Sequence, residues 1–458
     1  MSSVKGYCDP SFKEIKDILG ASIESGYEIG ASVAISLNKE MVVNLYGGHK
    51  DEAMSEAWDK DTIVNTYSVT KGITAICVAM LIDRGQLDVN KKVSDYWPEY
   101  ACNGKENTKV IDFLCHRACN FGFQNGIPSE SWQNWNVYAD LLAKQEPFSE
   151  PGSIQGYHAI TFGWLVGEIV KRVDGRDVGT FFKEEIGEPL NINFKIGLSE
   201  EDFVNCADMQ VLEDFGDSSP PFEKIKYVPN IMLPKKLRNL KKSMETGHFK
   251  IAFQKRDGDN KDYVNTLDWR MAQIPSANGH GTSEGLAKLY GILSSDCIEN
   301  GHKIMRPETL KYCIQPYSSG PDTVLFGSDI TFGLGFELAS EMLLKGSFSP
   351  RFMGSMFGHA GIGGAVAFGD VEKGIGFSFL CNKMHDTKNL YKTANFNVCQ
   401  GKLIILKTSP ENTIRKTSLD LIKKSLPLIE KVGILLTNKP LIRIIYPATK
   451  LRFSYGQS

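Results

Sequence analysis

A serine placed three residues before a lysine can bring a hydroxyl next to an amine. Nucleophilic acyl transfer needs that pairing, because a weak alcohol nucleophile requires a neighbouring group to take its proton. The pattern S-x-x-K occurs at Ser2, Ser36 and Ser68. The surrounding residues separate the three. Ser2 sits among the first residues, where fraying is expected. Ser36 falls in the strand-like run Ala31–Leu37, in which residues i and i+3 point to opposite faces. Ser68 opens a strong helical pattern over 68–83, so Ser68 and Lys71 share one face, a turn apart. The helix N-terminus also favours negative charge on the Ser68 oxygen. Taken alone, the residues fit a plainer account just as well, with Ser68 capping the helix and Lys71 in solvent.

A rival serine lies in Gly281-Thr282-Ser283-Glu284-Gly285, which matches the G-x-S-x-G elbow of α/β-hydrolases. That elbow requires a buried strand just before it, whereas Ile274–His280 reads as a loop. Thr282 or Ser283 followed by Leu286, Leu289, Tyr290 and Leu293 reads as a helix cap. The remaining histidines show no paired spacing, and His116 reads as a structural hydrogen-bonding residue. Cys115 and Cys119 have no matching pair at zinc spacing, so no metal and no cofactor is expected.

The elements that must position these groups follow from periodicity. Asp9-Pro10 opens a helix with Phe12, Ile15, Ile18 and Leu19. Gly30–Leu37 and Met41–Tyr46 flank a turn at Asn38-Lys39, the signal of a β-hairpin, and Gly364–Gly369 with Gly374–Leu380 makes a second. Helices are predicted from about 68 to 83, stopped by Gly85, and from about 159 to 173. Residues 216–265, with a basic run from Lys235 to Lys242, read as an irregular insertion covering a cleft. Strands at both ends with a helical middle imply an α+β fold: one antiparallel sheet closed by both ends of the chain, with a helical lobe over roughly 65–280.

Further motifs follow Ser68 in order. Tyr67-Ser68-Val69-Thr70-Lys71 resembles the first motif of the serine β-lactamase-like family, which includes penicillin-binding proteins, D-alanyl-D-alanine peptidases and related esterases. Pro151-Gly152-Ser153 with Tyr157-His158-Ala159 resembles its second, and Gly358-His359-Ala360-Gly361-Ile362 an H-x-G form of its third. The resemblance covers roughly residues 10–400, placing a hydrolase domain at 1–400, and implies a β-lactamase/transpeptidase-like fold. It implies Ser68 as nucleophile of an acyl-enzyme, with Lys71 poising Tyr157 for proton transfer, and Ser68 and Ile362 as backbone oxyanion donors. Substrate would lie against His359 and Gly361. Two residues depart from the usual pattern. Ala159 replaces an Asn, and His359, charged only part of the time near neutrality, replaces a permanently charged Lys. An ester, amide or peptide substrate is therefore expected in preference to a β-lactam. The alternative is a non-catalytic or filament-forming binding protein on the same fold.

Composition sets the remaining bounds. A net charge of −2 gives no general attraction to nucleic acid. Residues 401–458 form a basic extension with 11 Lys/Arg against 3 Asp/Glu, a net of +8, leaving 41 against 51 elsewhere. That extension could dock on a membrane surface, and self-association is left open. The ten cysteines, mostly within apolar stretches, read as reduced core thiols. With no signal peptide, transit peptide or transmembrane run in view, a cytoplasmic protein is expected.

Overall fold

The computed structural model describes residues 4–212, 223–341 and 355–385. Ser2 and the basic extension lie outside them. The main sheet has nine strands: β1 (Val4–Cys8), β2 (Gly30–Leu37), β3 (Glu40–Gly48), β9 (Ser318–Pro321), β10 (Asp329–Phe332), β11 (Glu337–Glu341), β12 (Met356–Ala360), β13 (Val366–Asp370) and β14 (Ile375–Cys381). Their spatial order is β1-β3-β2-β14-β13-β12-β11-β10-β9. Every pairing is antiparallel, and the two ends of the chain meet at β2 and β14, where Val33 faces Phe379. Both expected hairpins are present, and the single antiparallel sheet with helices against it is the α+β architecture expected. Strand β1 was not anticipated. Its sequence, Val-Lys-Gly-Tyr-Cys, is largely exposed and gives no apolar alternation to read.

Every residue of β12, β13 and β14 is buried. Alternate residues point to opposite faces, so helices must cover the sheet on both sides. Helices α1 (Lys13–Glu24), α2 (Val69–Asp83) and α6 (Ser283–Leu293) pack against its strands. Between α2 and α6 in the chain come α3 (Thr161–Asp174), α4 (Lys235–Thr246) and α5 (His248–Ala252). A small sheet ties this helical region together: β4 (Val64–Asn65), β6 (Gly279–Gly281) and β5 (Phe194–Ile196), in the order β4-β6-β5. A two-stranded ribbon, β7 (Ile298–Glu299) with β8 (His302–Lys303), completes the strands named here. The basic run in the 216–265 insertion is helical, as α4. Lys, Arg, Leu and Met are good helix formers, and Leu240 anchors the helix by full burial.

Helix α2 is apolar all round, and Val69 to Leu81 are all buried, which marks it as the central helix of the molecule. Gly85 stops it in the left-handed region at φ +70°. Helix α6 lies so close to the sheet that a Cβ on Gly376 of β14 would collide with the Ala287 carbonyl and the Gly291 nitrogen. Gly376→Ala is therefore expected to cost about 3 kcal/mol by overpacking, seen as a lowered urea midpoint. Replacing the exposed Glu40 by Ala should leave the midpoint nearly unchanged.

Candidate active site

Ser68 is presented by a strained turn. After β4 the chain passes through Thr66, whose N–H donates to the Gly279 carbonyl at 2.8 Å. Tyr67 then adopts φ +47°, a conformation unfavourable for a bulky residue. The Thr70 hydroxyl holds this turn. It donates to the Tyr67 carbonyl at 2.5 Å and accepts the Gly279 N–H at 2.9 Å. Ser68 stands at the N-cap of α2, but its hydroxyl makes no capping hydrogen bond. It is half-buried and engaged elsewhere.

Its partners are Lys71 and Tyr157. Lys71 Nζ lies 3.1 Å from Ser68 Oγ, and the Tyr157 hydroxyl donates to the same oxygen at 2.8 Å. Lys71 is completely buried, and its nitrogen also donates to the carbonyl oxygens of Ala159 at 2.6 Å and Ser276 at 2.9 Å. Those three acceptors match the three donors of an ammonium. Burial nevertheless pushes the lysine well below its ordinary pKa, because the charged form is the one that loses solvation. Burial also pushes the Tyr157 phenol above its ordinary value, against the opposing effect of the Ser68 hydrogen bond. The lysine nitrogen sits 4.9 Å from the Tyr157 ring centre.

Tyr157 belongs to no regular element, so side chains hold its backbone. Asp322, wholly buried, accepts the Tyr157 N–H at 3.1 Å together with those of Val324 and Leu325. His116 Nδ1 accepts the N–H of His158 at 3.1 Å, and its ring packs on Tyr157 at 4.8 Å. Burial holds His116 well below its usual pKa and lowers His158 to about 3. Both are neutral.

The third segment reaches the turn through Gly361. A Cβ there would strike the Thr66 carbonyl, so only glycine lets this loop press against the chain entering Ser68. Ile362 follows, and Ser68 and Ile362 line one cleft. Among the described residues, neither of their backbone N–H groups has an acceptor. His359 differs from the expectation of partial charge. It is 3% exposed, and its Nδ1 lies 2.8 Å from the Ala360 carbonyl. Burial, reinforced by Lys71 nearby, lowers it to about 3. It is neutral at physiological pH and contributes no surface to the cleft. Its ring lies 5.9 Å from that of Tyr157.

The cleft encloses about 750 Å³ with its open mouth included. Its walls are apolar over Val211, Leu212, Ala252, Phe253, Tyr263, Val264, Trp269 and Met384, with Ala159 where the resembling family has an asparagine, and Gln254, Lys255 and Lys261 add polar groups to the lining. Apart from Ala159 the sequence named none of these wall residues individually, but Ala252, Phe253, Tyr263 and Val264 lie in the 216–265 insertion expected to cover a cleft. It also passed over Asp322 and the Ser276 carbonyl. The only signal for the latter was the turn-rich composition of Pro275–Gly279.

Ser283 is excluded as a nucleophile, though for a different reason than expected. A short strand, β6, does precede it where a loop was predicted. Yet Ser283 is buried, and its hydroxyl is bonded to Ser32 Oγ at 2.7 Å and to the Ser32 carbonyl at 3.0 Å. Thr282 is the cap of α6, accepting the Gly285 N–H.

The family model described as Beta-lactamase matches residues 15–398. The chain belongs to that family and is a serine hydrolase. Among curated proteins it is similar to the esterase/beta-lactamase LipL of Mycobacterium tuberculosis, with 27% identity over 83% of each chain. Among solved structures it is similar to a family VIII carboxylesterase, with 29% identity, TM-score 0.70, and 86% of this chain and 99% of the other covered. It is also similar to a penicillin-binding protein homolog from Caulobacter crescentus, with 30% identity, TM-score 0.72 and the same coverage.

Asp322 supplies a test of how Tyr157 is held. Burial raises its carboxyl to about 6 from an ordinary 3.8. A raised folded-state pKa gives stability that is full below pH 4 and lost as pH rises through 6. Asp322→Asn keeps the acceptor oxygen and removes the titration. Relative to wild type, the variant should gain up to about 3 kcal/mol between pH 4 and pH 7, measured by urea unfolding across that range. A difference independent of pH would contradict the assignment.

Proposed function

We propose that this protein is an esterase that hydrolyses small esters with an apolar acyl or alcohol group, through an acyl-enzyme on Ser68. One observation carries this reading. The Ser68 oxygen is within hydrogen-bond reach of both Lys71 Nζ and Tyr157 Oη, and it opens onto an apolar cleft.

The burial of both partners supports one direction of proton flow. With the lysine pulled down and the phenol pushed up, Lys71 in its amine form is the base. It takes the Ser68 proton as the oxygen attacks the carbonyl carbon. Tyr157, still protonated, donates to the leaving alkoxide and regains its proton from the Lys71 ammonium, which restores the starting charges. The Ser68 and Ile362 N–H groups receive the oxyanion, a contribution that preorganised donors make most strongly where water is excluded. Water then cleaves the acyl-enzyme with Lys71 again as base. This differs from the expectation that Lys71 merely poises Tyr157 for proton transfer, and it is supported by the burial that raises the phenol. A neutral His359 supplies no charge at the position where the resembling family has a lysine, and an ester is the expected substrate in preference to a β-lactam. A cytoplasmic location belongs to this proposal and rests on cysteine usage, since Cys77, Cys115, Cys119, Cys206, Cys297, Cys313 and Cys381 are free buried thiols. Among the described residues no helix is long and apolar enough to cross a membrane.

Ser68→Ala is expected to abolish labelling by a fluorophosphonate probe and to reduce p-nitrophenyl butyrate hydrolysis by roughly 10⁴-fold or more. Unchanged labelling would remove Ser68 from the mechanism. Tyr157→Phe should lower kcat by about 10²-fold or more with little change in KM. Because the deprotonated lysine is active, kcat/KM should rise with pH along a single limb, at lower pH than a free lysine would give. Lys71→Arg, which stays charged, should be inactive at every pH. A rate that falls as pH rises through neutrality would overturn Lys71 as base. Nitrocefin should turn over far more slowly than the butyrate ester.

A further inference from the structure

Behind the glycine loop that carries Ile362 lies a second group of polar side chains, separate from Ser68, Lys71 and Tyr157. Glu28 stands two residues before β2, Cys381 ends β14, and His385 follows four residues later. They are 1%, 2% and 7% exposed. A carboxylate oxygen, the thiol sulfur and an imidazole nitrogen all lie within 4.8 Å of one another. His385 Nε2 is 2.9 Å from Glu28 Oε2, and the Tyr27 ring stacks on the imidazole at 4.4 Å. The other Glu28 oxygen is buried without a hydrogen-bond partner, which is uncommon for so polar an atom.

We propose that Glu28, Cys381 and His385 form a binding site for one divalent transition-metal ion of the zinc class. The donor set of one sulfur, one nitrogen and one oxygen suits zinc or cobalt and not the oxygen-seeking magnesium or calcium. Tetrahedral zinc, with bonds of about 2.0–2.3 Å, sets its ligand atoms roughly 3.3–3.7 Å apart. The Glu28–His385 contact would open slightly to reach that spacing, and no separation would need to close by more than about 1 Å. Charge also balances. Binding releases the Cys381 thiol proton and the single proton shared between Glu28 and His385, two in all, to solvent. One thiolate and one carboxylate then neutralise the dication, so the buried site is neutral in both states. The fourth position is left to water. Sequence search misses the site because its ligands are split between residue 28 and the pair Cys381-x-x-x-His385.

The ion would fasten the loop beside the catalytic cleft. The His385 N–H donates to the Gly363 carbonyl at 3.1 Å, and Met384, one residue earlier, lines the cleft. The test is a cobalt(II) titration of the full chain. The expected result is one cobalt per chain with a thiolate-to-cobalt charge-transfer absorption, retained in Ser68→Ala and lost in Cys381→Ser and in His385→Gln. Zinc should raise the unfolding temperature of the wild type and leave that of Cys381→Ser unchanged. If Cys381→Ser does not fold, Glu28→Gln, which keeps the shape and drops the charge, should weaken cobalt binding in its place. Absence of the absorption at saturating cobalt, or its survival in Cys381→Ser, would overturn the site. Neither result bears on Ser68 as nucleophile.

Discussion

A primary amine that is completely out of water cannot be left without partners, and Lys71 is such an amine. When protonated its nitrogen needs three acceptors, and they come from three places in the chain: Ser68 one turn earlier, the Ala159 carbonyl before α3, and the Ser276 carbonyl before β6. An isolated buried charge costs several kcal/mol even after relaxation. The fold must therefore hold two loop carbonyls in fixed positions. Much of the surrounding architecture does so. The β4-β6 pairing fixes the chain on either side of the site, and the Ser276 hydroxyl donates to the Ile160 carbonyl at 2.7 Å, joining the two loops that carry the acceptors.

The same demand explains why side chains, not regular structure, hold the Tyr157 segment. A strand or helix there would commit the Ala159 carbonyl to a ladder and withdraw it from Lys71. Asp322 and His116 take the two backbone N–H groups instead, which leaves the carbonyl of Ala159 free to turn inward. Thr70 plays the equivalent part at the strained Tyr67 turn. Each is a single side-chain bond that stabilises backbone geometry serving the site.

What the sequence reveals follows from how far each relation reaches. Ser68 and Lys71 are one helical turn apart, and the two hairpins and α2 are carried by local periodicity, so all are legible. Tyr157 and Ile362 become legible only by resemblance, since nothing local distinguishes Tyr157 from a half-buried aromatic. Asp322 lies 165 residues from the N–H it accepts, and the Ser276 contribution is a carbonyl, which every residue possesses. Neither leaves a mark in residue type. The charge of His359 was misjudged for a related reason, because its burial comes from strands and helices packed around β12 and not from its neighbours in sequence. The reading of 274–280 as wholly loop missed β6, a three-residue strand rich in glycine and recognisable only through its partners β4 and β5.

The electrostatic consequence is that the site separates proton transfer from substrate charge. The histidines closest to Tyr157 in space, His116 and His359, are neutral by burial, so they neither compete with Lys71 for the serine proton nor attract an anionic substrate. In a site of low dielectric, the positive charge that Lys71 acquires on taking the serine proton acts more strongly on Ser68 and Tyr157 than it would in water. Its hydrogen bonds to two main-chain carbonyls direct the rest of that charge into the protein and away from the cleft. Selection among substrates then falls to the shape and apolar surface contributed by Phe253, Tyr263, Val264, Trp269 and Met384. A site whose reactivity is set by one buried amine and whose selectivity is set by an apolar wall can change its preferred ester through wall substitutions without disturbing its chemistry. The replacement of an amide side chain by Ala159 is a step of that kind, since it removes a polar group from the wall while the backbone carbonyl of the same residue continues to hold Lys71.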